Sequence, residues 1–254
     1  MNHVQIKNAD CLIEMKNIPD NSIDLTVTSP PYDNLRTYND SLEWGEHVWK
    51  PIIQELYRIT KDGGVVVWVV GDATIKGSET GTSFKQALYA KEIGFNLHDT
   101  MIWQKPNPIP TQSTRYQQEF EYMFVFSKQK PKTFNPIKVK SKKAGVIVKK
   151  HRAKKDNHTY NNEGFYRVQG EKIAGNIFSI SNTKGNGHPA IFPEQLANDH
   201  IISWSNENDI VFDPFMGSGT TAKMAIINKR NWIGSEISEE YCKIIERRIT
   251  TALT

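Results

Sequence analysis

The segment that most restricts the fold lies near the C-terminus: Ile210-Val211-Phe212-Asp213-Pro214-Phe215-Met216-Gly217-Ser218-Gly219-Thr220-Thr221-Ala222. Asp209 to Phe215 predicts a strand, the glycines a tight turn, and Thr220 to Asn228 a helix. A strand from Asn231 to Ser235 and a helix from Ser238 to about Thr251 follow. Gly-x-Gly-x-x-Ala between a strand and a helix lets the backbone approach a ligand closely and presents the free N–H groups of the helix start. Glu236 ends the next strand about 20 residues beyond the first glycine, where a carboxylate accepts both hydroxyls of an adenosine ribose. Gly217, Ser218, Gly219, Thr220 and Glu236 are thus candidate contacts to a nucleoside cofactor.

Asp213-Pro214-Phe215 narrows the choice of cofactor. An acid aimed into the turn repels a pyrophosphate and suits a cation. S-adenosyl-L-methionine carries an ammonium and a sulfonium and no phosphate, so the residues favour it over a dinucleotide. Asp213, Pro214 and Phe215 join the candidate contacts. No metal is expected.

Upstream, strand and helix signals alternate. Val4 to Ile6 reads as a strand, Cys11 to Ile18 as a helix stopped near Pro19, and Ile23 to Thr28 as a strand. Val48, Ile52, Leu56 and Ile59 share one helical face, in a helix expected to stop at Asp62-Gly63-Gly64. Val65-Val66-Val67-Trp68-Val69-Val70 is a continuous apolar run, the mark of a strand covered on both faces. A helix from about Ser83 to Ile93, strands His98 to Trp103 and Tyr122 to Phe126, and a helix between Phe192 and Trp204 complete a pattern that predicts a doubly wound α/β sheet.

Thr28-Ser29-Pro30-Pro31-Tyr32 leaves the strand Ile23 to Thr28 and so emerges at the carboxyl edge, where such sheets bind ligands. Two prolines fix the backbone. The Ser29 hydroxyl and the Pro30 carbonyl can accept hydrogen bonds from an exocyclic amino group, and Tyr32 offers a flat face for a base to stack on. Ser29, Pro30, Pro31 and Tyr32 are the candidate catalytic residues.

Ser-Pro-Pro-Tyr together with Asp-Pro-Phe-x-Gly-Ser-Gly-Thr-Thr resembles the amino-directed DNA methyltransferases, which modify cytosine N4 or adenine N6 with S-adenosyl-L-methionine. The catalytic motif precedes the cofactor motif, an order similar to the family's beta group. The resemblance implies a single Rossmann-like sheet, mostly parallel with one antiparallel strand, and an inserted target-recognition region. It implies that Asp10 meets the cofactor's adenine amino group with Cys11 beside it, and that Lys105 and Asn107 of Lys105-Pro106-Asn107-Pro108 belong to the base pocket or DNA surface. His188 to Leu196 is similar to the segment closing over the methionine end. Serine at the first motif position points to cytosine N4, with adenine N6 the alternative. The resemblance leaves a cognate restriction endonuclease and a homodimer open as partners.

Charge distribution points the same way. Of 32 Lys and Arg against 28 Asp and Glu, 12 of the basic residues and none of the acidic ones lie between Lys128 and Lys155. An acidic body thus carries one basic segment, a pattern suited to double-stranded DNA. Lys138, Lys140, Lys142, Lys143, Lys149, Lys150 and Arg152 are its candidate DNA contacts. The expected organisation is a catalytic half over 1–127, the basic insert over 128–176 and a cofactor-binding half over 177–254.

Several function classes are excluded. No apolar run approaches the roughly 20 residues that span a bilayer, and the N-terminus lacks a signal-peptide pattern, so a cytoplasmic location without membrane contact is expected. Two cysteines cannot build a disulfide scaffold. Neither Cys11 nor Cys242 follows a proline as the nucleophile of cytosine C5 methylation typically does. Two other classes remain as less favoured alternatives: a nicotinamide dehydrogenase, which explains the glycine turn but leaves Ser29 to Tyr32 without a task, and a non-catalytic DNA-binding protein, which explains only the basic segment.

Overall fold

The computed structural model describes residues 4–32, 44–108, 110, 114–149, 165–181 and 193–253. They belong to two units, Met1–Asn135 with Asn176–Thr254, and Pro136–Gly175. The first unit begins with β1 (Val4–Asn8), α1 (Cys11–Met15), β2 (Ile23–Thr28), α2 (Glu46–Ile59) and β3 (Thr60–Val70). The short pair β4 (Thr74–Ile75) and β5 (Ser78–Glu79) leads to α3 (Thr82–Glu92), β6 (Asn96–Gln104) and β7 (Phe120–Ser127). The second unit holds β8 (Lys138–Lys140), β9 (Ile147–Lys149), β10 (Phe165–Arg167) and β11 (Glu171–Ile173). The first unit then resumes with β12 (Ile177–Ser179), α4 (Glu194–Trp204), β13 (Ile210–Asp213), α5 (Thr220–Ile227), β14 (Asn231–Glu236) and α6 (Glu239–Leu253).

Eight strands form the main sheet in the order β1-β14-β13-β2-β3-β7-β6-β12. All neighbours pair in parallel except β7, which runs against both β3 and β6. The Val65–Val70 run shows why one sheet carries two helical layers. Val65, Val67 and Val69 point into a core shared with Leu196 and Ile201 of α4, Ala222 of α5 and Ile245 of α6. Val66, Trp68 and Val70 point the other way, among Met15 of α1, Leu56 of α2 and Ala87 of α3. Because strand side chains alternate, an unbroken apolar run can be satisfied only by cover on both sides.

Three local expectations need correction. Helix α1 ends at Met15 instead of reaching Ile18, although Ile18 remains buried against the same core. Asp62-Gly63-Gly64 does not end a helix: α2 stops at Ile59, and the glycines lie inside β3, where the register against β2 shifts. Gly63 has φ +81°, and its N–H donates to the Lys128 carbonyl at 2.6 Å. A bulge of this kind calls for glycine, because a side chain is strained there. The stretch after Lys128 also forms more structure than its weak periodicity suggests, with β8 pairing β11 and β9 pairing β10, both antiparallel.

Candidate active site

Strands β13 and β2 are parallel neighbours, with Val211 opposite Leu25 and Phe212 opposite Thr26, so their carboxyl ends reach one rim of the sheet. The glycine turn leaves one end and Ser29-Pro30-Pro31-Tyr32 the other. Asp213 joins them. Its Oδ1 accepts from the Thr28 hydroxyl at 2.6 Å and from the Phe215 N–H at 3.0 Å, and its Oδ2 accepts from the Thr221 hydroxyl at 2.7 Å. Asp213 has no exposed surface. Its carboxylate is therefore not aimed outward at a cation, as the charge argument from sequence expected; it faces into the sheet and holds the two turns together.

The turn is built for close approach. Gly217 (φ +55°) and Gly219 (φ +82°) adopt left-handed backbone conformations that disfavour any side chain. A Cβ on Gly219 would lie 3.1 Å from Ile245, so the turn also needs glycine to sit against α6. Gly219 caps α5 without a side-chain hydrogen bond, leaving first-turn N–H groups for other acceptors. Arg248 of α6 donates to both the Ser218 carbonyl and hydroxyl at 2.7 Å and to Glu194 at 2.8 Å, fixing the turn from behind. Ser218, Thr220 and Pro214 are consequently buried in the turn itself, with the Pro214 carbonyl accepting from Ser235, while Phe215 and Gly217 keep accessible surface. Phe215 packs edge-on against Trp44 and Trp68.

Glu236 closes the same rim. Its Oε2 accepts from the Gly217 N–H at 2.8 Å and its Oε1 from the Ser238 N–H at 2.9 Å. Asn8 donates to the Glu236 and Ile237 carbonyls, and the Ala9 N–H donates to Glu236 as well. These bonds bring Asp10, which caps α1 through the Leu12 N–H at 2.8 Å, beside the end of β14. Cys11 is different. Its side chain belongs to the core layer under α1, and burial, reinforced by the Asp10 carboxylate, pushes the thiol up to about 12. It offers no thiolate.

On the other side of the rim, Ser29 Oγ and Tyr32 Oη lie 3.0 Å apart, and the Tyr32 hydroxyl donates to Glu121 Oε2 of β7 at 2.6 Å. Lys105 pairs with Glu121 Oε1 and has its ammonium 5.0 Å from the Trp103 ring centre. Lys105 is thus engaged inside the site, whereas Asn107 is exposed. Lys138, Lys140, Lys142, Lys143 and Lys149 are exposed in the second unit. Lys150, Arg152 and His188 lie outside the described residues. Sequence reasoning missed Glu121, Thr28, Thr221 and Arg248. Thr28 and Thr221 border the two motifs and could have been noticed. Glu121 carried no signal, because its partners are 16 and 89 residues away.

Two buried groups give the fold opposing pH dependences. Burial pushes Asp213 up to about 6 from the ordinary 3.8, against the three donors. The folded chain then keeps a proton that the unfolded chain releases between those values, so this group's contribution falls by up to about 3 kcal/mol as pH rises through the window. His200, buried against Met123 and Phe178, is lowered to about 4 from 6.5 by desolvation. Its contribution is present above 6.5 and is lost as pH falls toward 4. Asp213→Asn removes the first dependence and keeps the second. Urea unfolding between pH 4 and 6.5 should therefore show stability rising more steeply with pH in the variant than in the wild type. Equal slopes would contradict the assignment.

A doubly wound sheet with one reversed strand, a glycine turn and acid on one part of the rim, and a Ser-Pro-Pro-Tyr turn leaving the neighbouring strand, whose last residue Thr28 bonds Asp213, define a Rossmann-like methyltransferase. The chain matches the N6/N4 DNA methylase family over residues 23–247 and belongs to it. S-adenosyl-L-methionine is the methyl donor of this family. The orphan methyltransferase M.BamHII of Bacillus amyloliquefaciens is 54% identical over 246 residues, covering 92% of this chain and 91% of its own length. The type II methyltransferase M.BglII of Bacillus subtilis is 29% identical over 253 residues, covering 94% of this chain and 67% of its own. Among solved structures, the PvuII DNA methyltransferase, described as cytosine-N4-specific, superposes with a TM-score of 0.72 at 23% identity, covering 96% of this chain and 85% of that one. Among the described residues no helix is long and apolar enough to cross a membrane.

Proposed function

We propose that this chain transfers a methyl group from S-adenosyl-L-methionine to N4 of a cytosine in double-stranded DNA. The observation that carries the reading is the bond from Thr28 to Asp213, which supports it by tying the end of β2, before Ser29 to Tyr32, to the end of β13, before the glycine turn. Gly217, Gly219 and the start of α5 would receive the cofactor, with Glu236 on its ribose and Asp10 near its adenine. The glycine conformations and the carboxylate at the strand end suit such a group. When bound, the cofactor supplies a methyl carbon made electrophilic by the adjoining sulfonium.

The chain's own residues supply position. The exocyclic amine is a weak nucleophile because its lone pair is delocalised into the ring. Ser29 Oγ and the Pro30 carbonyl accept its N–H bonds and turn the lone pair toward the methyl carbon, and Tyr32 stacks on the base after it leaves the duplex. Alignment for in-line displacement supplies much of the rate gain. No base is needed beforehand, since the methylated amine is acidic and loses its proton afterwards.

Serine at the first motif position favours cytosine, and the likeness to the cytosine-N4-specific PvuII enzyme is in keeping with it. Adenine N6 is the second reading, since the family takes both bases. Transfer of tritiated methyl groups to genomic DNA, followed by nucleoside chromatography, decides it: label is expected in N4-methylcytosine, and label in N6-methyladenine would select the alternative. The M.BamHII relative is called an orphan, which supports an enzyme acting without a cognate restriction endonuclease.

The second unit would hold the DNA backbone. Replacing Lys142, Lys143, Lys149 and Lys150 by Ala is expected to flatten the salt dependence of DNA binding by up to about 0.9 in log–log slope per lost phosphate contact. An unchanged slope would mean that the run is only solvated.

A further inference from the structure

We propose that Glu121 is a positioning residue for methyl transfer, fixing the direction of a hydrogen-bond chain so that Ser29 presents lone pairs rather than its proton to the incoming amino group. The inference rests on the methyltransferase reading above and adds a residue that neither motif contains.

The chain runs Ser29, Tyr32, Glu121, Lys105, drawn from the turn after β2, the start of β7 and the residue after β6. Its polarity follows from counting protons. As a carboxylate Glu121 accepts only, and Lys105 donates only. The Tyr32 hydroxyl has one proton, and it goes to Glu121 Oε2 at 2.6 Å. The 3.0 Å contact between Ser29 Oγ and Tyr32 Oη must then be donated by Ser29. The serine proton is occupied, and the remaining acceptor capacity of Oγ is left for a donor. An exocyclic amino group is such a donor, and accepting its N–H is what orients its lone pair for attack.

Reversal of the chain would be harmful. If Glu121 offered an N–H to Tyr32, the tyrosine could donate to Ser29, and the serine proton would be free to bond the amine's lone pair, the pair that must attack. Lys105 and Glu121 are held firmly enough for the direction to matter, with side chains only 18% and 13% exposed. Neighbouring donors and acceptors polarise each other along such a chain, so one end sets the other.

The test uses the whole chain, with steady-state and single-turnover methyl transfer to DNA. Glu121→Gln preserves size and is expected to lower kcat about 10- to 100-fold, with KM for DNA and cofactor affinity within about twofold of wild type. Glu121→Asp, worse in shape but still an acceptor, should retain more activity than Glu121→Gln. In a Tyr32→Phe background, where the chain is already cut, Glu121→Gln should add less than about a twofold loss. Thermal melting of each variant checks folding. The proposal is overturned if Glu121→Gln keeps full kcat, equals or exceeds Glu121→Asp, or loses as much in the Tyr32→Phe background as alone. If wild-type protein placed no methyl group on a DNA amino nitrogen, the underlying reading would fail instead.

Discussion

Ser29→Ala is expected to lower methyl transfer about 10²- to 10³-fold while cofactor affinity stays near wild type. The hydroxyl is small and its removal opens little space, so the loss should come from chemistry and not from folding. Without Oγ the amine keeps only the Pro30 carbonyl as an acceptor and is free to rotate its lone pair away from the methyl carbon. Tyr32→Ala should act on the same step through a second route, since it removes a stacking face worth about 1–3 kcal/mol. Isothermal calorimetry with S-adenosyl-L-methionine and single-turnover kinetics separate the two outcomes. A large loss of cofactor binding in Ser29→Ala would refute the division of labour between the turns.

The opposite split is expected at the acids. Glu236→Ala should weaken cofactor binding about 10- to 100-fold, the range for losing hydrogen bonds to a charged group. Its carboxylate contacts the Gly217 N–H, so the substitution removes a ribose acceptor and loosens the turn together. Asp213→Ala should weaken binding too, but indirectly. It leaves the buried Thr28 hydroxyl and the part-buried Phe215 N–H without their acceptor, and leaves the Thr221 hydroxyl only the Val27 carbonyl, a change costing about 3 kcal/mol of stability. A lowered melting temperature with Asp213→Ala, and a nearly normal one with Glu236→Ala, would distinguish the buried tie from the ligand contact. Unchanged affinity in both variants would count against the glycine turn as the cofactor site.

The sheet was legible because its strands obey strong local rules. Val65 to Val70 announced cover on both faces, and the strand–turn–helix around Gly217 fixed the location of the rim. What sequence could not show was how the acids are used. Asp213 reads as an outward-facing acid because the next residues turn the chain; only the parallel pairing of β13 with β2 reveals that Thr28 and Thr221 enclose it. Glu121 is a similar case. It opens an antiparallel strand far from Tyr32 in the chain, and no spacing rule connects them. Lys105 could be assigned only to the base pocket or DNA surface for the same reason; its pairing with Glu121 needed the fold. The bulge at Gly63 resembles a helix stop because a glycine pair serves both structures equally well. The three-residue strand β12 is too short to show the alternation that marks longer strands.

The central claim is that the cofactor's methyl end, held from the glycine turn, reaches the Ser-Pro-Pro-Tyr turn. Ultraviolet irradiation of the protein with S-adenosyl-L-methionine tritiated in its methyl group, followed by peptide sequencing, tests this directly. The account predicts label in the peptide containing Ser29 to Tyr32, suppressed by excess S-adenosylhomocysteine. Specific label confined to peptides that lack Ser29 to Tyr32 would contradict it.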